Sequence, residues 1–109
     1  MSALDILFFK REKKYRRNYE IDDKLYSELE PLSRVYEASV NDLINASIYL
    51  LIKSEDVTIY KKSRNEISVT HTLLIRESNI AGLEHLKERY GISIYRLVNI
   101  AIKNMLAGK

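Results

Sequence analysis

The stretch YRRNYEI, residues 15–21, alternates between two sets of side chains. A period of two is typical of a β-strand. An isolated strand is not stable in water, because its backbone donors and acceptors need a partner strand. The fold therefore depends on where the second strand occurs. On an extended backbone one face would carry Tyr15, Arg17, Tyr19 and Ile21, and the other Arg16, Asn18 and Glu20.

The chain repeats itself at a spacing of 54 positions, without a gap. Ile21 aligns with Ile75, and the apolar positions that follow them coincide. The sequence therefore indicates two copies of one unit, and it places the second strand around Val69. Identical residues at this spacing include Glu30 and Glu84, Tyr36 and Tyr90, Ser39 and Ser93, and Asn45 and Asn99.

Each copy is predicted to form a strand followed by two helices. In copy one, Asp22 is a candidate N-cap, and Ser39 is predicted to cap the second helix, with Asp42 in the capping-box position. Pro31 predicts a kink or a break in the first helix near Glu30. The inner stripe of that helix is predicted to contain Leu25, Leu29, Leu32 and Tyr36.

Copy two has the same pattern, with one difference at the turn between its helices. Gly91 can adopt the left-handed conformation at the end of a helix, whereas copy one has Glu37 there, so its turn could differ. Ser93 precedes the last helix, which is predicted to end near Ala107.

The predicted organisation is a basic arm at 1–14, a first unit at 15–53, a linker at 54–66 and a second unit at 67–109. We expect residues 15–109 to fold as one domain, since a single unit cannot bury its own apolar stripes. The linker is interpreted as an extended connector rather than an added edge strand. The fold class is mainly α with a short two-stranded antiparallel β-ribbon, which packs on the helices through Tyr15, Tyr19, Ile21, Val69, Leu73 and Ile75.

Charge and composition narrow the possible functions. The 109 residues carry a formal charge of +3, and the chain has no cysteine. Six basic residues fall within positions 10–17, a block that is used for contact with nucleic acid or serves only as a solubilising tail. The apolar segment ALDILFF, residues 3–9, is too short to cross a membrane and lacks signal-peptide features. We expect a cytoplasmic protein that does not bind membranes.

The doubled strand-helix-helix pattern, with GISIYRL at residues 91–97, resembles the ribbon-helix-helix family of DNA-binding proteins, the Arc and methionine repressor type. In that family two identical chains supply the two units. The resemblance implies a tandem pair fused in one chain and related by a pseudo-twofold axis. It also implies binding to double-stranded DNA, with the ribbon in the major groove.

The resemblance and the strand alternation together predict which side chains touch DNA. Arg suits guanine, Asn suits adenine and Glu accepts from cytosine, while Thr and Leu can touch the thymine methyl. Alternatively these are only solvated strand residues, and Leu74 could pack on the arm. The predicted base contacts are Arg16, Asn18, Glu20, Thr70, Thr72 and Leu74.

The resemblance further implies that the start of each second helix holds phosphate, which suits the free N–H groups at a helix N-terminus. The two serines can also act simply as caps. The arm would add a salt-sensitive grip on phosphates. The predicted phosphate contacts are Ser39, Val40, Asn41, Ser93, Ile94, Tyr95, Lys10, Arg11, Lys13 and Lys14.

The two strands differ in sequence, so the DNA site is predicted to be asymmetric and small. Two or more molecules are therefore expected to bind side by side, through ALDILFF or exposed tyrosines. Transcriptional repression is the leading hypothesis. Plasmid partition or a conjugation-accessory role is the alternative, and a helical interaction module without DNA binding is the second.

Enzyme activity and cofactors are not predicted. The only histidines, His71 and His85, have no cluster of metal ligands around them in the sequence, so no metal is expected. The chain also has no phosphate-binding loop, no nucleophile elbow and no glycine-rich dinucleotide turn.

Overall fold

Strand, helix and helix follow one another twice along the chain. The computed structural model describes residues 12–62 and 64–108. The prediction of a mainly helical chain with a two-stranded antiparallel ribbon is confirmed within these residues. The elements are β1 (Lys14–Asp22), α1 (Asp23–Val35), α2 (Val40–Ser54), β2 (Ser68–Arg76), α3 (Glu77–Tyr90) and α4 (Ile94–Leu106).

The partner of β1 is β2, and the two strands run antiparallel over their whole length. Asn18 lies opposite Thr72 at the centre of the ribbon. These two residues are 54 positions apart, so the centre of the ribbon joins two matching positions of the sequence repeat. The strand partner predicted at Val69 is therefore correct.

The inner face of the ribbon is less completely covered than predicted. Four of its residues, Tyr19, Ile21, Leu73 and Ile75, are buried against the helices. Tyr15 and Val69, predicted to be in the core, are instead 39% and 40% exposed. They lie opposite Ile75 and Ile21 in the two end pairs of this face. Because a two-stranded ribbon twists strongly, each end pair turns one partner towards the core and the other towards solvent.

The helix α1 is continuous through Pro31, so of the two predicted outcomes near Glu30, a kink or a break, the break is wrong. Its buried residues are Leu25 and Leu29. Tyr36, predicted on the same stripe, follows the helix and is largely exposed. The helix has already ended at Val35, so the 3.6-residue period no longer orients the side chain of Tyr36.

The first helix of each half, α1 or α3, has an N-terminal amide that donates to a carboxylate from the other half of the chain. This arrangement is named here the crossed caps. The amide of Lys24 in α1 donates to Glu66 Oε1 at 3.2 Å. The amide of Ser78 in α3 donates to the Glu12 carboxylate. Asp22 occupies the N-cap position of α1, but its side chain makes no cap hydrogen bond, which corrects the prediction for this residue.

The second helices start as predicted. Ser39 Oγ accepts from the amide of Asp42 at 3.0 Å, and Ser93 Oγ accepts from the amide of Arg96 at 3.3 Å. The last helix ends at Leu106, close to the predicted end. The four helices and the ribbon share one apolar core, whose largest fully buried side chains are Ile21, Leu29, Ile44, Ile48, Leu51, Ile75, Leu83, Leu86, Leu97, Ile100, Ile102 and Val98.

The turns between the helices of each half both use a left-handed residue. Gly91 has a φ of 65° and Glu37 a φ of 51°, so both turns have a left-handed residue at this position despite the difference in sequence. A residue with a Cβ pays about 1 kcal/mol or more for this conformation, and glycine does not.

Replacing Glu37 with Gly should therefore raise the free energy of unfolding by about 1 kcal/mol, measured by urea denaturation. Glu37→Ala is the matched control and should give no such gain, because alanine keeps the Cβ. Gly91→Ala should lose a similar amount by backbone strain alone, since nothing lies within 4 Å of the added Cβ. Equal stabilities of Glu37→Gly and Glu37→Ala would contradict the argument.

The linker forms no strand in its described part, so the alternative of an added edge strand is not seen there. Val57 and Tyr60 pack against the core, and the carbonyl of Asp56 accepts from Asn104 Nδ2 of α4 at 2.9 Å. No helix in the described ranges has the length and apolar character needed to cross a membrane.

Candidate nucleic-acid interface

The outer face of the ribbon carries all six side chains predicted to contact bases, and every one is exposed. Strand pairing arranges them in three facing pairs. The central pair, Asn18 with Thr72, is joined by a hydrogen bond in which Thr72 Oγ1 donates to Asn18 Oδ1 at 2.8 Å. The three pairs, in order along β1, are Arg16 with Leu74, Asn18 with Thr72, and Glu20 with Thr70.

This face is chemically unequal from end to end. The Arg16 guanidinium is at one end and the Glu20 carboxylate at the other. Leu74 opposite Arg16 is 49% exposed, so an apolar group lies beside the cation. The ribbon therefore presents a donor-rich end, an amide-hydroxyl centre and an acceptor-rich end.

Two buried asparagines fix the ribbon on the helices behind it. Asn99 of α4 accepts from the amide of Asp22 at 2.8 Å and donates to the Glu20 carbonyl at 2.9 Å. Asn45 of α2 accepts from the amide of Arg76 at 3.0 Å and donates to the Leu74 carbonyl at 2.8 Å. Each asparagine therefore satisfies two backbone groups of one strand, Asn99 on β1 and Asn45 on β2. Together they hold the outer face of the ribbon in place.

The first predicted phosphate site, at the start of α2, contains Ser39, Val40 and Asn41. Helix geometry leaves the amides of Val40 and Asn41 without intrahelical acceptors. The Asn41 side chain is already used, since it both donates to and accepts from the backbone of Leu74, at 3.0 and 2.8 Å. Only its backbone amide remains for an anion.

The second predicted phosphate site, at the start of α4, contains Ser93, Ile94 and Tyr95, and it lies beside the linker. Tyr95 Oη accepts from Lys62 Nζ at 2.7 Å. A groove of about 470 Å³ separates linker residues 59–62 from this end of α4. Its lining includes the side chains of Lys61, Lys62 and Arg96. Position 42 in the first half, matching Arg96, is instead an exposed aspartate, so the two helix starts have opposite local charge.

A buried carboxylate anchors the linker to the ribbon. Asp22 is 1% exposed and lies 2.9 Å from Lys62 Nζ. Its carboxylate also accepts from the hydroxyls of Tyr60, Ser68 and Tyr95. These five residues, Asp22, Tyr60, Lys62, Ser68 and Tyr95, are named here the Asp22 cluster.

Ionisation in the Asp22 cluster follows from these contacts. Burial opposes the charge on Asp22, but hydrogen bonds from Tyr60, Lys62 and Ser68 outweigh it and lower the pKa of the carboxyl below its usual 3.8. Burial and the hydrogen bond to Asp22 raise the pKa of Tyr60. Hydrogen bonds to Tyr95 and Asp22 raise the pKa of Lys62. The cluster is therefore held as a carboxylate, a neutral phenol and an ammonium group at neutral pH.

The described part of the basic arm is held against the other half of the chain. The amide of Glu77 donates to the carbonyl of Lys13 at 2.9 Å, next to the crossed cap at Glu12. The side chains of Lys13 and Lys14 are exposed. The predicted contacts Lys10 and Arg11, and the apolar segment 3–9, lie outside the described residues.

The two histidines have different surroundings. His71 lies on the inner face of β2 and stacks on the ring of Tyr26, with the ring centroids 3.7 Å apart. His85 is exposed on α3. Within residues 12–62 and 64–108, no three His, Cys, Asp or Glu residues are grouped so as to hold a metal ion.

Sequence reasoning missed the crossed caps and the linker contacts. Glu12 and Glu66 are 54 positions apart, so extending the repeat alignment towards the N-terminus would have found the caps. No repeat or spacing marks Tyr60 or Lys62, because the other half has no matching linker.

The chain was also compared with known proteins. No family model matches it. No significant match was found among curated proteins or among solved structures.

Proposed function

We propose that this protein is a sequence-specific regulator of transcription, a repressor that inserts its two-stranded ribbon into the major groove of double-stranded DNA. The observation that carries the proposal is the two-sided ribbon. One face packs on four helices through buried residues, and the other presents six exposed side chains suited to base edges. A ribbon of two strands has the width that the major groove admits.

A fused pair of ribbon-helix-helix units, related by an approximate twofold axis between Asn18 and Thr72, is part of the proposal. The strand register supports it, because the ribbon is centred on Asn18 and Thr72, which occupy matching positions of the repeat. The bonds of Asn45 to β2 and of Asn99 to β1 also correspond at the repeat spacing. Such an axis would place the starts of α2 and α4 on either side of the ribbon, where their amides can meet the two DNA backbones.

The charged residues near the starts of α2 and α4 differ, which supports unequal binding of the two DNA backbones. Lys61 and Arg96 line the groove at the start of α4, where Lys62 is already paired with Asp22, whereas Asp42 lies in the first turn of α2. Phosphate would be held more tightly at the α4 end, since a carboxylate near the α2 amides repels it. The exposed Lys13 and Lys14 add cations next to the ribbon.

Side-by-side binding of two or more molecules in the cytoplasm completes the proposal. A single ribbon reads only a few base pairs, so a second molecule increases both affinity and specificity. Val35 and Tyr36, 72% and 68% exposed at the end of α1, are a neighbouring pair of large apolar side chains available for such a contact. A role in plasmid partition or conjugation would use the same DNA interface.

The decisive experiment compares two arginine variants of equal charge. Duplexes selected by the wild type from a random library would be used in gel-shift titrations at two salt concentrations. Arg16→Ala should weaken binding to the selected site by about 1–3 kcal/mol, because a guanine contact is lost. Arg34→Ala, which removes an exposed arginine on α1, is the matched control and should change binding little.

Two results would contradict the proposed DNA reading. Equal losses for Arg16→Ala and Arg34→Ala would mean that only net charge matters and that the ribbon does not read bases. Failure of the wild type to enrich any sequence would reject the proposal outright and would favour the helical interaction module.

A further inference from the structure

The hydrogen bond between Thr72 and Asn18 restricts what the centre of the ribbon can offer to DNA. A threonine hydroxyl has a single hydrogen to donate. Here that hydrogen is directed to Asn18 Oδ1 at 2.8 Å, so Thr72 Oγ1 can act outward only as an acceptor. Among the described residues, the flanking pairs Arg16 with Leu74 and Glu20 with Thr70 have no such bond between their side chains.

The same bond changes the chemistry of Asn18. A free asparagine amide reads adenine in a bidentate manner, accepting from N6 and donating to N7. Asn18 Oδ1 has two lone pairs, one of which accepts from Thr72, and the Asn18 NH₂ keeps both of its hydrogens. An adenine opposite Asn18 would place thymine O4, an acceptor, against Thr72 Oγ1, which has no hydrogen left to donate. The expected pairing of Asn18 with adenine is therefore disfavoured.

We propose that Asn18 and Thr72 read DNA as one unit that selects a G·C base pair, with guanine on the β1 side and cytosine on the β2 side. This inference rests on the proposed function and specifies its central contact. Guanine presents two major-groove acceptors, O6 and N7, which match the two hydrogens of Asn18 Nδ2. Cytosine N4 presents a donor, which matches the lone pair left on Thr72 Oγ1.

The orientation of the base pair follows from the direction of the hydrogen bond. A reversed C·G pair would set the cytosine donor against the Asn18 NH₂ and the guanine acceptors against Thr72 Oγ1. An A·T pair with thymine on the β1 side offers Asn18 only the single acceptor O4. The unit therefore distinguishes the two orientations of G·C, which a symmetric pair of identical side chains could not do.

The test is the base preference of full-length protein variants, measured by selection from duplexes randomised across the bound site and by titration of the selected sequences. Thr72→Val keeps the shape of the side chain but removes the hydroxyl. It should release Asn18 Oδ1 and move the preference at the central pair from guanine towards adenine by about tenfold. Thr72→Ser retains the hydroxyl and should retain guanine. Both substitutions are at an exposed position, so the thermal unfolding midpoints should match the wild type.

Each result separates the inference from the proposed function. A guanine preference that is lost in Thr72→Val and kept in Thr72→Ser supports the coupled unit. A wild-type preference that Thr72→Val leaves unchanged, or a central adenine in the wild-type site, overturns the inference while DNA binding stands. A wild type that binds all duplexes equally, or none, rejects the proposed function and the inference with it.

Discussion

Replacing Asn99 with Ala should lower the free energy of unfolding by about 3 kcal/mol, because it leaves two strand groups without partners. The side chain is 1% exposed and completes the hydrogen bonding of the Asp22 amide and the Glu20 carbonyl. An orphaned buried group costs about 1–3 kcal/mol, and the small cavity adds to that cost. Urea denaturation followed by circular dichroism measures the change.

Two comparisons give this prediction its controls. Asn45→Ala should cost less than Asn99→Ala, since the Leu74 carbonyl keeps its bond from Asn41 Nδ2 and, of these two strand groups, only the Arg76 amide loses its bond. Asn104→Ala removes one bond to the linker carbonyl of Asp56 from a half-buried position on the same helix as Asn99. Water can replace that bond, so the loss should stay below about 1 kcal/mol. A loss for Asn99→Ala no larger than that for Asn104→Ala would show that the strand groups find other partners.

The second large effect is expected at Asp22, where Asp22→Ala should destabilise the fold by about 3 kcal/mol at pH 7. The substitution leaves Lys62 and the Tyr60 hydroxyl without the carboxylate that they contact. The Lys62 side chain is partly exposed and can turn to water. The loss of stability should therefore be near the lower end of the range for breaking a buried ion pair. The linker would then lose its attachment to the end of β1.

The lowered pKa of Asp22 also predicts how stability depends on pH. A carboxyl with a folded pKa below its unfolded value stabilises the fold above the unfolded pKa and loses that contribution as pH falls through the folded pKa. The ordinary value is 3.8, so the loss should begin below about pH 4. In Asp22→Asn this component should be missing, because the amide does not titrate.

Denaturation curves at pH 7 and pH 3 measure this component directly. The difference in stability between wild type and Asp22→Asn should shrink as the pH is lowered. Glu20→Gln is the matched control, because it removes an exposed carboxyl from the neighbouring ribbon face. If the wild type and Asp22→Asn lost equal stability between these pH values, the Asp22 carboxyl would not be the group responsible.

The strand pairing and helix order could be predicted because they follow from patterns repeated within the chain. The period-two alternation at residues 15–21 and the repeat spacing together fix the strand partner. The turns followed from serine caps and from a glycine able to adopt a positive φ. The serine caps and the glycine turn are local properties that depend on neighbouring residues.

What could not be predicted depends on contacts and helix ends that no pattern in the sequence marks. Asp22 has the sequence position of a helix cap, yet its carboxylate contacts Lys62 and Ser68, more than thirty positions away. Tyr36 has the spacing of a core residue but lies beyond the end of its helix. The direction of the hydrogen bond between Thr72 and Asn18 likewise depends on the register and on side-chain torsions, which residue types alone do not specify.

The crossed caps have a consequence for how the two halves of the chain depend on each other. Neither first helix can begin with its amides satisfied until the opposite half supplies Glu12 or Glu66. Separate halves would have to meet by diffusion before either was complete, and their assembly would weaken on dilution. Because the linker joins the two halves, each half receives its capping carboxylate within the same molecule. The halves therefore stay assembled at any protein concentration.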